Sequence, residues 1–201
     1  RCEMSIKTSL EAQLMHDHHH LTKLAVLCDF DDTIIQQNLG VMLLERFGKP
    51  EWRRFHPLYL AGKMTLRQSI TKEYSCLQVS PERIEAFVRT NGTIRPGFLD
   101  FVHFCKEEDI PITIVTSGLE AYVKPFLCQR GLGDLEVFGE QAVFTSSGVR
   151  LVTDTGNGAC QQGNICKCLY LLRRQQEGYK TINIGDGGSD LCPAPKANHV
   201  F

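Results

Sequence analysis

Asp29 and Asp31 stand two residues apart in DFDDT, and Asp186 and Asp190 flank the glycines of GDGGSD. Carboxylates at this density repel one another unless a cation sits among them, and hard oxygen ligands of this kind suit Mg²⁺. Beside such an ion Asp29 can attack phosphorus and form an aspartyl-phosphate. Asp31 can protonate a leaving alcohol and then activate water. The hydroxyl of Thr116 and the amide of Ser117 can hold phosphoryl oxygens, while the Lys167 ammonium neutralises charge spreading over them. Asp186 is expected to ligate the ion and Asp190 to orient its waters. The expected metal set is therefore Asp29, Asp31 (through its main-chain carbonyl), Asp186 and Asp190.

These groups meet only if the elements carrying them meet. Leu24 to Cys28, IPITIVTSG and KTINIG read as short buried strands, each ending where a polar cluster begins. Helical patterns alternate with them: PGFLDFVHFCKEED, LEAYVKPFLCQRG (kinked or broken at Pro125) and NICKCLYLLRRQQEG, which carries Lys167 near its start. Strands alternating with helices predict an α/β domain with a mainly parallel sheet, whose strand ends form one crevice. AVFTSSGVRLV predicts a hairpin around Ser146 to Gly148. From residue 38 to 90 the pattern is helical throughout, with Ser80 placed to cap the helix opened by Pro81. The expected organisation is a polar N-terminal arm (1–23), an α/β core (24–37 and 91–201) and a helical cap (38–90).

DFDDT, VTSG, a helical Lys and GDGGSD, in that order, resemble the motif series of the haloacid dehalogenase superfamily from Leu24 onward. The resemblance implies a Rossmann-like three-layer sandwich and a Mg²⁺-dependent phosphatase. The insertion after the first strand resembles the cap of the phosphoserine-phosphatase-like branch. GNICK and GDGGSDLCPA are closer to its methylthiopentenyl-phosphate and phosphocholine-type phosphatases. Where phosphoserine phosphatases carry a Glu and a cap Arg that grip the amino acid, this chain has Asn38 and Glu73, so phosphoserine is not the expected substrate. Asp32 stands where the family often has a small or aromatic residue. The resemblance also implies further elements beyond Phe201.

Each residue has a plainer reading: a turn or cap for the acids, Thr116 and Ser117, and a solvated helix surface for Lys167. The other motifs at matching places set the plain readings aside, for Lys167 only through its position in the family's series, and the expectation is catalysis on a small phosphorylated metabolite. The alternative is a binding or regulatory module with the same fold and no turnover. His56, His103 and His199 read as packed or surface residues, and Arg53, Arg54 and Arg67 could meet an anionic substrate.

With 22 basic and 23 acidic residues in 201, the net charge of -1 points neither to nucleic acid nor to an anionic membrane. No apolar run reaches the length of a membrane span, and the first residues lack the order of a signal peptide, so a cytoplasmic location is expected. The nine cysteines, an odd number, then read as reduced thiols, Cys160, Cys166 and Cys168 included. His16, Asp17 and His18 to His20 read as part of a solvated arm.

Overall fold

The computed structural model describes residues 23–145, 147–152 and 165–201. Most of the expected N-terminal arm, with its histidines, lies outside the described residues, as do Ser146, Cys160 and Asn164.

Strand β1 (Leu24–Cys28) is apolar throughout because both of its faces are covered. It pairs in parallel with β2 (Ile112–Leu119) on one side and β6 (Lys180–Ile184) on the other, so that Val26 faces Ile112 and Ile182. Two further parallel strands, β3 (Glu136–Glu140) and β7 (His199–Val200), complete the order β3-β2-β1-β6-β7. Val26, Cys28 and Ile114 pack against α5 (Phe98–Glu107) and α6 (Glu120–Cys128). Leu27 and Val115, pointing the opposite way, pack on Leu171 of α7 (Lys167–Gln176). The result is a three-layer α/β sandwich. Among the described residues no helix is long and apolar enough to cross a membrane.

Between β1 and β2 the chain forms α1 (Leu39–Phe47), a 3-10 turn (Pro50–Arg54), α2 (Phe55–Leu60), α3 (Leu66–Ser75) and α4 (Pro81–Thr90). Asn38 caps α1 by accepting from the Val41 amide at 2.9 Å, and Thr65 with Gln68 forms a reciprocal capping box on α3. Leu43, Trp52, Ile70 and Ile84 of these helices share one apolar cluster with Val26, Ile114 and Phe126 of the sandwich. The two crossings between insertion and sandwich lie side by side. Ile35 bridges Ile94, the Gln36 amide donates to Thr93, and the Arg95 guanidinium donates to the carbonyls of Asp32 and Thr33.

The expected hairpin forms from β4 (Ala142–Thr145) and β5 (Gly148–Leu151) and docks on α3. One strand went unread and three expectations need correction. Strand β3 was not anticipated, because EVFGE is short, charged at both ends and interrupted by Gly139. Helix α6 continues through Pro125, where the missing N–H costs one bond while Phe126 and Leu127 remain buried. Ser80 sits at the N-cap of α4, but its side chain makes no capping bond. Cys168 is not a free thiol: it pairs with Cys192 in a disulfide, their Cα atoms 6.4 Å apart. The first turn of α7 and the loop after β6 bring the two together, a proximity that a separation of 24 residues does not disclose.

Candidate active site

Starting from β1, the sheet grows outward through β2 and β3, then resumes on the other side with β6. Between β1 and β6 lies the switch point, where open parallel sheets leave a crevice at their carboxyl ends. Asp29 and Asp31 follow β1 into that crevice. Asp186 and Asp190 follow β6, the latter closing a 3-10 turn (Gly188–Asp190). Thr116 and Ser117 arrive near the end of β2.

Lys167 is the first residue of α7 and only 5% exposed. A buried ammonium at a helix N-terminus is unfavourable on two counts, desolvation and the positive end of the dipole. Two carboxylates offset this: Nζ lies 2.8 Å from Asp190 Oδ1 and 3.1 Å from Asp29 Oδ1. Asp29 Oδ1 also accepts from the Phe30 amide at 2.8 Å. Both donors converge on Oδ1, leaving Oδ2 without a protein donor among the described residues. Burial pushes the Asp29 carboxyl up to about 6, against the pull of Lys167 and with a further push from Asp190. Gly185 stands against Asp190, and a Cβ there would overlap the carboxylate.

Asp186 is exposed and accepts from the Thr33 hydroxyl at 3.2 Å. Carboxylate oxygens of Asp29, Asp186 and Asp190 lie within 4.8 Å of one another, a hard-oxygen donor set that fits Mg²⁺. The Asp31 carboxylate stands outside this group. Its Oδ1 accepts from the Leu39 amide at 2.8 Å and its Oδ2 from the Tyr122 hydroxyl. Burial pushes Asp31 up to about 7, with those two hydrogen bonds opposing. Asp32, at φ 58, adopts the left-handed conformation that Asp tolerates, and its side chain accepts from Asn38 at 2.9 Å. Thr116 Oγ1 accepts from the Gly118 amide at 3.0 Å; neither Thr116 nor Ser117 caps α6, whose N-cap is Leu119.

Asp29, Asp31, Thr116, Ser117 and Asp186 line one cleft of about 280 Å³. Its opposite wall comes from the insertion: Val41, Leu44, Leu66 and Ile70 supply apolar surface, with Tyr59 and Glu73 among them. Burial raises the Glu73 carboxyl, and the buried Ser69 hydroxyl donates to it at 2.7 Å. Tyr59 reaches the acidic loop, where a Cβ on Gly188 would lie 2.7 Å from its hydroxyl. His56 also lines the cleft rather than merely sitting on the surface. His103 is exposed beside Glu107, and His199 is exposed on β7. Arg53, Arg54 and Arg67 do not line the cleft, and among its described lining residues none is Lys or Arg.

Tyr122 and Tyr74 escaped the sequence reading. Both are buried, and each sits at a helix position that reads as packing. The one available signal was a polar-tipped aromatic where phenylalanine would have served the core.

Comparison with known proteins adds relatives to this geometry. Residues 26–194 match the model of the haloacid dehalogenase-like hydrolases. A 2-hydroxy-3-keto-5-methylthiopentenyl-1-phosphate phosphatase of Brevibacillus brevis is 32% identical over 185 residues, covering 89% of this chain and 82% of that protein. Its counterpart from Geobacillus thermodenitrificans is 33% identical over 184 residues, with the same coverage. Among solved structures, a phospho-aspartyl intermediate analogue of phosphoserine phosphatase superposes with a TM-score of 0.66 at 21% identity, covering 89% of this chain and 85% of that one. A substrate-bound phosphoserine phosphatase gives 0.67 at 20% identity, covering 89% and 84%. At these identities the structural likeness speaks for the fold.

Proposed function

This chain belongs to the haloacid dehalogenase-like hydrolases, and we propose that it is a Mg²⁺-dependent phosphomonoesterase acting through Asp29. One observation carries the reading: a buried Lys167 bridges Asp29 and Asp190 while Asp186 closes a carboxylate triad at the mouth of the same cleft.

In this reading Asp29, Asp186 and Asp190 hold the ion, together with the Asp31 carbonyl. Bound there, Mg²⁺ supplies charge stabilisation to a phosphoryl group. Asp29 is held at Oδ1 by Lys167 and Phe30, so its Oδ2 attacks phosphorus. As the bond from phosphorus to the ester oxygen breaks, Asp31 donates its proton to the departing alkoxide. A neutral carboxyl is available for that step because burial holds Asp31 near 7. Water then attacks the aspartyl-phosphate, Asp31 takes back a proton, and phosphate leaves with Asp29 restored. The Thr116 hydroxyl and the Ser117 amide bind the phosphoryl oxygens.

The insertion acts as a cap that limits what can enter. Its wall is largely apolar and carries Glu73 beside Asn38, His56 and Tyr59, with no Lys or Arg among the described residues, so a second anionic group on the substrate meets an acid and no permanent cation there. A phosphate ester whose organic part is uncharged and partly apolar fits, and the relatives are named for one such compound. The experiment is phosphate release from 2-hydroxy-3-keto-5-methylthiopentenyl-1-phosphate, phosphoserine and an aryl phosphate, with and without Mg²⁺. Mg²⁺-dependent turnover that disfavours phosphoserine supports the reading; no release from any ester would leave a binding module.

A further inference from the structure

The loop after β1 brings Asp31 against two phenols that the reaction itself does not consume. Tyr122 lies on α6, one turn from Phe126, and is fully buried. Its ring packs against Phe30, with centroids 6.2 Å apart, and its hydroxyl points at Asp31 Oδ2. Room for that hydroxyl exists because residue 118 is glycine; a Cβ there would overlap it. Tyr74 comes from the other side, on α3 of the insertion, and its hydroxyl and that of Tyr122 both lie against Gly40 of α1. Gly40 of α1 makes the space on that side, since a Cβ would come within 2.8 Å of the Tyr74 hydroxyl.

The direction follows from the number of protons. When Asp31 is ionised it only accepts, so the Tyr122 proton goes to its Oδ2. Burial and the neighbouring Asp31 raise both phenols far above their usual range, so both stay protonated and able to donate. The other oxygen of Asp31 is fixed by the Leu39 amide, at the first residue of α1. The carboxyl is thus held at both oxygens, once by the Leu39 amide and once by the Tyr122 phenol, with the Tyr74 hydroxyl close by.

We propose that Tyr122 is the positioning residue of Asp31, and that Tyr74 extends this hold to α3, so that the seating of the insertion sets the aim of the acid. Phenylalanine at position 122 would fill the same volume without the hydrogen bond, so packing alone does not explain that tyrosine. This inference rests on the phosphatase reading in which Asp31 is the acid and base.

The test uses the whole chain with Mg²⁺ and two esters, an alkyl phosphate whose leaving alkoxide needs a proton and nitrophenyl phosphate, whose leaving group does not. Tyr122→Phe should lower kcat on the alkyl ester roughly 10- to 100-fold, the effect of losing a hydrogen bond to a charged group. KM should hardly change, and the loss on nitrophenyl phosphate should be clearly smaller. Tyr74→Phe should show the same pattern with a smaller amplitude. In an Asp31→Asn background, Tyr122→Phe should cost nothing further. Equal losses on both esters, no loss, or a full additional loss on top of Asp31→Asn would overturn the proposal. If Tyr122→Phe fails to fold, judged by its melting transition, Tyr74→Phe carries the same comparison. A wild type inactive on both esters would sink the phosphatase reading itself, and this inference with it. Activity in the wild type with an indifferent Tyr122→Phe would sink this inference alone.

Discussion

Lys167 Nζ and Asp190 Oδ1, separated by 23 residues in the chain, meet at 2.8 Å, with Asp29 Oδ1 3.1 Å from the same ammonium. The pair ties the start of α7 to the loop after β6 and leaves neither charge alone. Removing the cation should therefore do more than remove a phosphate contact. Lys167→Met retains the stem and strands Asp29 and Asp190 as buried like charges, an uncompensated burial that typically costs about 3–5 kcal/mol. A thermal melt should show a marked drop, and phosphate release should fall to background. Retained stability would mean that the ion pair is not formed in solution.

The two acids after β1 should fail differently. If Asp29 is the nucleophile, Asp29→Asn removes the attacking oxygen, and turnover should vanish on every ester. Asp31→Asn loses proton transfer, worth roughly 10²–10⁴-fold, and the loss should be larger for alkyl than for nitrophenyl leaving groups. If an aspartyl-phosphate forms and its hydrolysis also needs this base, a burst should precede slow turnover on nitrophenyl phosphate. Indifference to the leaving group, with no burst, would remove Asp31 from this role.

Metal binding can be read without turnover. If Asp29, Asp186 and Asp190 form the site, millimolar Mg²⁺ should raise the melting temperature of the wild type, because an ion bound only to the folded chain stabilises it. Asp186→Asn should weaken that response with little effect on the melt in EDTA, since Asp186 is exposed and outside the Lys167 pair. An undiminished Mg²⁺ response in the variant would exclude Asp186 as a ligand.

The raised Asp31 carboxyl has a stability signature in the metal-free protein. A folded-state value of about 7, above the ordinary carboxylate value, means that the folded chain binds this proton more tightly than the unfolded one. Its contribution is present in full below about pH 4 and is lost as pH rises through about 7. In EDTA, the wild type should lose more melting temperature between pH 5 and pH 8 than Asp31→Asn does. Parallel curves would show that Asp31 is not perturbed in this way.

At the wall of the insertion, Glu73→Gln should leave Mg²⁺-dependent cleavage of a phosphate ester with no further charge within a few-fold of wild type, judged by kcat. It should also narrow the preference against phosphoserine, because one negative charge facing the substrate carboxylate is gone. Initial rates on the two esters give the ratio directly. An unchanged ratio would place the selectivity elsewhere in the cleft.

Much of this architecture was legible because buried parallel strands leave continuous apolar runs. LAVLC, the run into Thr116 and KTINI announced themselves, and the acids and hydroxyls at their ends followed. Edge strands give no such run, and EVFGE passed unnoticed for that reason. Lys167 was visible as a residue but not as a buried one, because burial at a helix start depends on carboxylates brought from β1 and β6. The tyrosines were invisible for a different reason. Helical spacing reports which face is apolar, and it cannot distinguish a phenol that only packs from one whose hydroxyl reaches Asp31 across 91 residues. The pairing of Cys168 with Cys192 was lost to the same blindness toward distant partners.

Gly118 and Gly185 have no side chain, yet each stands directly against a group on which the site depends, the Tyr122 hydroxyl and the Asp190 carboxylate. A survey that trims side chains to alanine would locate Asp29, Lys167 and Asp190 by what it deletes. At these two positions the same survey becomes an insertion experiment, with a single methyl group entering occupied space. Loss of function there would record excess volume rather than a missing chemical group, and neither glycine would then be read as a participant in the reaction.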